Sequence, residues 1–310
     1  MTAYSNTLVP GEILKFVDSW VRSAPIRELV EGFGGRIDSG PLPETLTALV
    51  EWAREQWDFR KGAERSDAPI VRFSSSTEDL VRQATEALGM RRSSAPEREG
   101  YDHVLILGGK LETCARRTAY AARLLETLTA STVTGLGTFR ETDDVEIARG
   151  LEVGLGRCAT EFAGMVAAFE RSFAPAVPQL VYGGGDGGHV YSAWRAQLFD
   201  APIGGLSVLS APSTEPEIRR ANTPDTYLFW AERNHLAAGE SLLIITASAN
   251  RPFQHFDALR VFGDGHDCRL DTVPVNGRGG GETTGASSML QEVLAGLQKA
   301  DRLVRSLTPS

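Results

Sequence analysis

The sequence predicts an α/β protein built on a doubly wound, mainly parallel sheet with an N-terminal helical extension. Three observations lead there. From residue 103 onward, short apolar runs alternate with segments of helical period, the pattern of parallel strands joined by crossover helices. One of those runs, Leu242 to Thr246 (LLIIT), has almost no polar interruption, so both of its faces must be covered. Before residue 100, apolar residues recur mainly at helical spacing.

Taken in order, the first elements are helices. Ile13, Leu14, Phe16, Val17, Trp20 and Val21 share one face of a helix, and Leu46, Leu49, Val50, Trp52, Ala53 and Trp57 share a face of another, which Pro41 to Pro43 opens. Ser74 to Glu78 begins a third, capped helix that runs through LVRQATEAL. The stretch Arg91 to Gly100 is rich in turn residues, which places a boundary between a helical extension (residues 1–98) and the sheet domain (residues 99–310).

His103 to Leu107 then runs into Gly108-Gly109, followed by a helix from about Leu111 to Thr127: strand, tight loop and helix in succession. VTGLGTFR, QLVYGG, GLSVLS and SLLIITAS are the further candidate strands. A glycine-rich loop, Gly277 to Gly281, precedes a final amphipathic helix, Ser287 to Leu307.

Composition excludes several classes. The 310 residues are 42% hydrophobic and 23% charged, which is ordinary for a globular chain that buries a core. A net charge of −8 without any long Lys/Arg block argues against a nucleic-acid surface. Cys114, Cys158 and Cys268 lack CxxC spacing and are expected to be reduced, buried thiols. With no leader-like N-terminus and no run of apolar residues long enough for a bilayer, a cytoplasmic location without membrane contact is expected. No GxSxG, HExxH or carboxylate-rich metal loop is present, so no metal is expected and no nucleophile stands out.

Four constellations remain. Gly108, Gly109 and Lys110 sit where a strand gives way to a helix, so backbone N–H groups and the helix dipole favour an anion there; a plain tight turn fits the same residues. Arg116 and Arg117, one to two turns on, either reach that loop or are solvated. A second cluster packs Arg219, Arg220, Asn222, Thr223, Asp225 and Thr226 ahead of an apolar helix. Thr223 followed by Pro224 suits an N-cap with proline at the first helical position, and the paired arginines suit phosphate or carboxylate; a capped helix with two surface arginines is the simpler account.

The third cluster, ITASANRPFQHFDALR, follows the most buried strand and offers Thr246, Ser248, Asn250, Gln254 and His255 at a carboxyl-end loop, with His255 a candidate acid or base or else a packed histidine. In the fourth, Arg140 and Glu141 follow VTGLGTF and Glu161 opens TEFAGMVAAFE. These carboxylates serve either as a base or as helix caps. Within VYGGGDGGHVYSAW, Asp186 and His189 either touch substrate or belong to a surface loop.

Three of these stretches in order, HVLILGG, RANTPDT and IITASANRPFQHFDALR, resemble the YdcF/SanA/ElyC-like family of bacterial proteins over roughly residues 100 to 275. The resemblance implies a Rossmann-like fold whose loops gather at one sheet edge, with members associated with S-adenosylmethionine binding or envelope metabolism. It carries Gly108, Gly109, Asn222, Thr223, Asp225, Thr226 and Thr246 into the site. Where the family has a His after its strand this chain has Asn250, and where an Arg follows it has Phe253 or Gln254. That departure argues against His-dependent family chemistry, and the missing anchor favours a metabolic role.

The expected function is therefore a metal-independent enzyme acting on a small anionic or adenosine-containing metabolite, a nucleotide or an S-adenosylmethionine-derived compound, in specialised biosynthesis. Hydrolytic or group-transfer chemistry is expected, with Glu161, Asp225 or His255 moving the proton. S-adenosylmethionine or a nucleotide is the expected ligand, and a homodimer is allowed for. Two alternatives are a nucleotide- or S-adenosylmethionine-binding regulatory protein without turnover, and an interaction protein that presents Trp20, Trp52 and Trp57 as an exposed patch.

Overall fold

The computed structural model describes residues 4–61, 71–173, 177–185, 188–200, 204–263, 268–275 and 285–308. The chain opens with a short strand, β1 (Ser5–Thr7), and four helices: α1 (Pro10–Val21), α2 (Ala24–Gly32), α3 (Leu42–Trp57) and α4 (Ser75–Ala87). Proline stands in the first two positions of α1, α2 and α3, where its missing N–H has no helical partner to lose. α4 starts as its sequence predicts, with the Ser74 side chain accepting the N–H of Thr77.

The sheet domain follows with β2 (Gly100–Leu107), α5 (Leu111–Leu124), β3 (Thr129–Gly137), α6 (Asp144–Glu152), α7 (Glu161–Phe173), β4 (Val177–Gly184), β5 (Trp194–Asp200) and β6 (Gly205–Ser210). It is completed by α8 (Thr223–Asn234), β7 (Ser241–Ala247), α9 (Arg251–Phe262), β8 (Arg269–Val275) and α10 (Ala286–Leu307). All eight strands form one sheet in the order β1-β8-β7-β2-β3-β6-β5-β4. The five central strands are parallel, and read in chain order they lie 3-2-1-4-5, the doubly wound Rossmann-like arrangement. The strand order therefore reverses between β2 and β7, and ligands of such sheets bind outside the carboxyl ends at that reversal.

The sheet is mixed rather than wholly parallel. β1 pairs antiparallel with β8, and β4 and β5 form an antiparallel pair on the other edge. QLVYGG is thus an edge strand outside the parallel set, because the connection from β4 to β5 is too short for a crossover. Three strands carry little sequence signal: β1 is three residues long, β5 is WRAQLFD, and β8 contains Asp271 and Pro274.

Two apolar layers sandwich the sheet. Leu105, Leu107, Leu242 and Ile244 pack with the N-terminal helices, α9 and α10 on one face. Val104, Ile106, Leu243 and Ile245 pack with α5 and α7 on the other. Successive side chains of a strand point to opposite faces, so a strand covered on both sides is mostly apolar, and the polar side chains it does bury, such as His103 and Thr134, are hydrogen-bonded.

The N-terminal helices belong to the first of these layers. Trp20 and Trp57 are fully buried, Trp20 meets Phe256 edge-on at 5.0 Å, and Trp52 packs on Trp57 at 5.1 Å. The exposed tryptophan patch of the interaction reading is therefore absent: Trp20 and Trp57 are core, each fully buried large apolar group contributing roughly 1.5–3 kcal/mol, and Trp52 is half-buried against them. Since β1 also joins the sheet, residues 1–98 supply both a strand and one covering layer. Cys114, Cys158 and Cys268 are free and buried. Among the described residues no helix is long and apolar enough to cross a membrane. Gly277 to Gly281 and Asp186 lie outside the described residues.

Candidate functional site

At the carboxyl ends of β2 and β3, the loops after these strands meet the first turns of α8 and α9 around a cavity of about 350 Å³. Gly108 and Gly109 line it from β2, Thr138 and Arg140 from beyond β3, Glu161 from α7, Arg220 to Thr223 and Thr226 from the start of α8, and Gln254 from α9. Eight predicted ligand contacts thus meet in one space: Gly108, Gly109, Arg140, Arg220, Asn222, Thr223, Thr226 and Gln254. The candidate base Glu161 joins them.

Glu161 is held from several sides. Its backbone N–H donates to the Arg140 carbonyl at 2.9 Å and that of Phe162 to the Thr138 carbonyl at 2.9 Å, which stitches the start of α7 to the segment leaving β3. Oε2 accepts from Thr138 Oγ1 at 2.9 Å and from Arg140 Nε at 3.4 Å. Oε1 lies so close to Gly108 that a Cβ there would collide with it, and would also stand 2.6 Å from the Leu136 carbonyl oxygen. Glycine is required at 108 by this close approach. Burial pushes the Glu161 carboxyl above its ordinary pKa, against the opposing pull of Arg140, Thr138 and Arg117.

Arg140 is shared between two carboxylates. Its Nη1 and Nη2 donate to Glu146 at 2.9 and 2.8 Å, and Nη2 also donates to the Gly109 carbonyl at 3.2 Å. Glu146, buried, accepts the N–H of Leu111 through Oε1 at 2.9 Å. The start of α5, expected to receive an external anion, is therefore capped by a carboxylate of the chain itself, and Lys110 is exposed beside it. Arg117 lies buried below the loop and donates to the carbonyls of Leu107 and Gly108. Burial depresses its pKa to about 10. Arg116 pairs loosely with Glu112 at 4.0 Å and is not in the cavity wall.

The α8 N-terminus is likewise self-capped. Asn222, not Thr223, is the N-cap: its side chain accepts the Asp225 N–H at 3.3 Å, while Asp225 Oδ2 accepts the Asn222 N–H at 2.8 Å. Thr223 and Pro224 are the first two helical residues. Asp225 also accepts from Thr214 Oγ1 at 2.7 Å and Arg219 Nη1 at 2.5 Å. Although burial raises its pKa, these bonds hold it below the ordinary carboxylate value. As a capping and bridging group it lines a different cleft with Arg219, which corrects its assignment as an acid or base of this site.

His255 is also excluded from the site. It is fully buried, with Nδ1 bonded to Thr272 Oγ1 and Nε2 to Asn6 Oδ1, both at 2.8 Å, among the rings of Tyr4 and Phe16. Burial, and then Arg251, push its pKa well below the ordinary value. Thr246 is buried and bonded to Gln254, so it positions the amide rather than meeting a ligand. Ser248 and Asn250 stand in a short 3₁₀ turn outside the cavity wall. Glu141 makes a backbone bridge to Thr160.

Thr138 and Glu146 were missed by sequence reasoning. Thr138 is one residue past β3, a position the carboxyl-end rule marks. Glu146 stands three residues after Asp143, the helix-start spacing, but its side chain serves another helix.

A second hollow of about 440 Å³ adjoins the first, sharing Thr138, Arg140, Arg220 and Ala221 and adding Phe139, Val190 and Tyr191. His189 caps the turn before Tyr191, accepting its N–H at 3.3 Å, and does not line the hollow. A wider groove of about 680 Å³ over the α2–α3 loop has its Arg36 and Asp38 paired at the surface, and its buried Thr45 hydroxyl donates to the Gly40 carbonyl at 3.2 Å and accepts from Arg22 at 3.3 Å, so its polar groups serve the fold. Among the described residues no three His, Cys, Asp or Glu side chains could hold a metal ion. Cys114, beneath Gly109, is pushed up to about 12 by burial and stays a thiol.

Residues 6–89 match a family model described as the Rv3785 N-terminal domain. The similarity to that family covers β1 and the four N-terminal helices. Full-length relatives include uncharacterized proteins of Mycobacterium bovis and Mycobacterium tuberculosis, each 25% identical over 339 residues, which span 97% of this chain and 93% of theirs. No solved structure matches the chain. The cavity around Glu161 lies outside the segment matched by the family model.

Proposed function

We propose that the chain is a cytoplasmic enzyme acting on a small polar metabolite, adenosine-containing or nucleotide-like, by hydrolytic or group-transfer chemistry, with Glu161 moving the proton. One observation carries this reading: a buried carboxylate with a raised pKa stands in the crevice at the carboxyl ends of the parallel strands, one oxygen fixed and the other at the Gly108 wall. A carboxyl tuned upward is suited to give or take a proton near neutral pH.

The lining shapes the substrate class. Because both nearby helix ends are capped by the chain's own side chains, a phosphate clamp at α5 is disfavoured. The amides of Asn222 and Gln254, the hydroxyls of Thr138, Thr223 and Thr226, and Arg220 suit a hydroxyl- and amide-bearing moiety with at most one anionic group. The resemblance to the YdcF/SanA/ElyC-like family supports the same substrate class. The ion pair of Glu161 with Arg140 favours a second reading, a regulatory protein that binds such a metabolite without turnover.

Native mass spectrometry of freshly purified protein, followed by a thermal-shift screen of nucleosides, nucleotides and S-adenosylmethionine, identifies the ligand. With it in hand, Glu161→Gln should keep affinity within a few-fold and lower turnover by about 10²–10⁴. Full turnover in this variant defeats the assignment of Glu161. Tight binding with no turnover in the parent selects the regulatory reading.

A further inference from the structure

The first turn of α8 separates two cavities. Thr223 and Thr226 face the Glu161 cavity, while Pro224, Asp225 and Leu228 line a cleft of about 450 Å³, and Asn222 lines both. The far walls of the cleft are α9 and α10, which contribute Arg260, Lys299 and Arg302. Lys299 and Arg302 are three residues apart on α10 and so share a face.

The charges in this cleft are unevenly matched. Arg219 holds both lining carboxylates, Glu215 at 2.7 Å and Asp225 at 2.5 Å. Lys299 holds the buried Asp257 at 2.8 Å. Four cations thus face three carboxylates: Arg260 and Arg302 act on Asp257 at longer range, and among the described residues neither stands within ion-pair distance of a carboxylate. Arg260 Nε is moreover buried without a hydrogen-bond acceptor. A buried donor left unpaired forfeits its hydration, so no acceptor of the chain holds the Arg260 guanidinium in place where it lines the cleft.

We propose that this cleft binds the phosphoryl group of a small phosphorylated molecule through Arg260 and Arg302, with Lys299 beside them. Guanidinium forks match the oxygens of a tetrahedral phosphoryl group bidentately, and the added negative charge falls where the cleft is under-compensated. The site is separate from the Glu161 cavity and its ligand, so it stands or falls without the proposal made there.

Calorimetric titration of the full chain with inorganic pyrophosphate, at about 150 mM salt where distant surface charges are screened, tests it. The expected result is saturable 1:1 binding that weakens at least tenfold in Arg302→Gln and in Arg260→Gln. The exposed Arg302 gives a variant whose thermal midpoint should match the parent. Malonate, a dicarboxylate, titrated in parallel should bind more weakly. Absence of saturable binding, less than tenfold weakening in either arginine variant, or malonate binding as tight as pyrophosphate or tighter overturns the proposal.

Discussion

Glu146 of α6 caps the backbone N–H of Leu111 at the start of α5, a carboxylate of one helix standing where a bound anion would sit on another. Glu146→Ala removes that cap and half of the pairing of Arg140. The variant should lose about 3 kcal/mol in urea unfolding, the scale for breaking one side of a buried pair. It should also be stabilised by sulfate more than the parent is, because the vacated helix end accepts an anion. An equal sulfate response in both proteins would show that the helix end stays closed.

Gly108 and Glu161 should behave as one unit. Gly108→Ala places a methyl group against Glu161 Oε1 and the Leu136 carbonyl, so a stability loss of at least about 2 kcal/mol is expected. Trimming Glu161 to Ala in the same chain relieves one of the two clashes. A double-mutant cycle read by urea unfolding should therefore show coupling above about 0.5 kcal/mol. Simple additivity would place the strain elsewhere.

The pKa of Glu161 is raised in the folded protein, so between the unfolded value and the folded one the native state holds more protons. Stability falls as pH rises through that window. Glu161→Gln, uncharged at every pH, should lose this dependence and be at least as stable as the parent at pH 7. Thermal midpoints measured from about pH 4 to pH 8 check it; parallel curves for the two proteins contradict the assignment.

Asp225 has the opposite sign. Its folded pKa is lowered, so its contribution is present above the unfolded value and is lost as pH falls through the folded one. Asp225→Asn should cost about 2 kcal/mol at pH 7, combining a lost cap with lost charged hydrogen bonds, and the cost should shrink in acid. Chemical denaturation at the two pH values reads the difference.

His255 remains neutral because it is buried, so the unfolded chain takes up a proton that the native state refuses as pH falls below about 6.5. His255→Ala should lose about 3 kcal/mol through the cavity and the bonds to Thr272 and Asn6. It should also flatten the stability profile between about pH 5 and pH 7. Binding at the Glu161 cavity should persist in the folded fraction.

Much of the site was legible because strand-end loops are local features. Gly108, Asn222 and Gln254 each follow a strand or open a helix within a few residues, and the doubly wound order brings those ends together. His255 shows where such reasoning fails. It adjoins Gln254 in sequence, yet one helical step carries its ring away from the cavity into the core beside Tyr4. The cap of α8 was misplaced by one residue for a related reason: Asn222 and Thr223 are both good caps, and only the reciprocal bond with Asp225 chooses between them.

By itself the sequence determined the central strands β2, β3, β6 and β7, their covering helices and the line of loops where a ligand can bind. Burial on both faces leaves an unbroken apolar run with few alternatives. Tertiary structure alone decided the edge strand β1, the antiparallel edge placement of β4, and the matching of charges: Arg140 to Glu146 and Glu161, Arg219 to Asp225. Arg260, by contrast, reaches the buried Asp257 only at long range. Those relationships depend on which helices dock side by side, and a Coulomb interaction between side chains is set by their distance in space and not by their spacing along the chain.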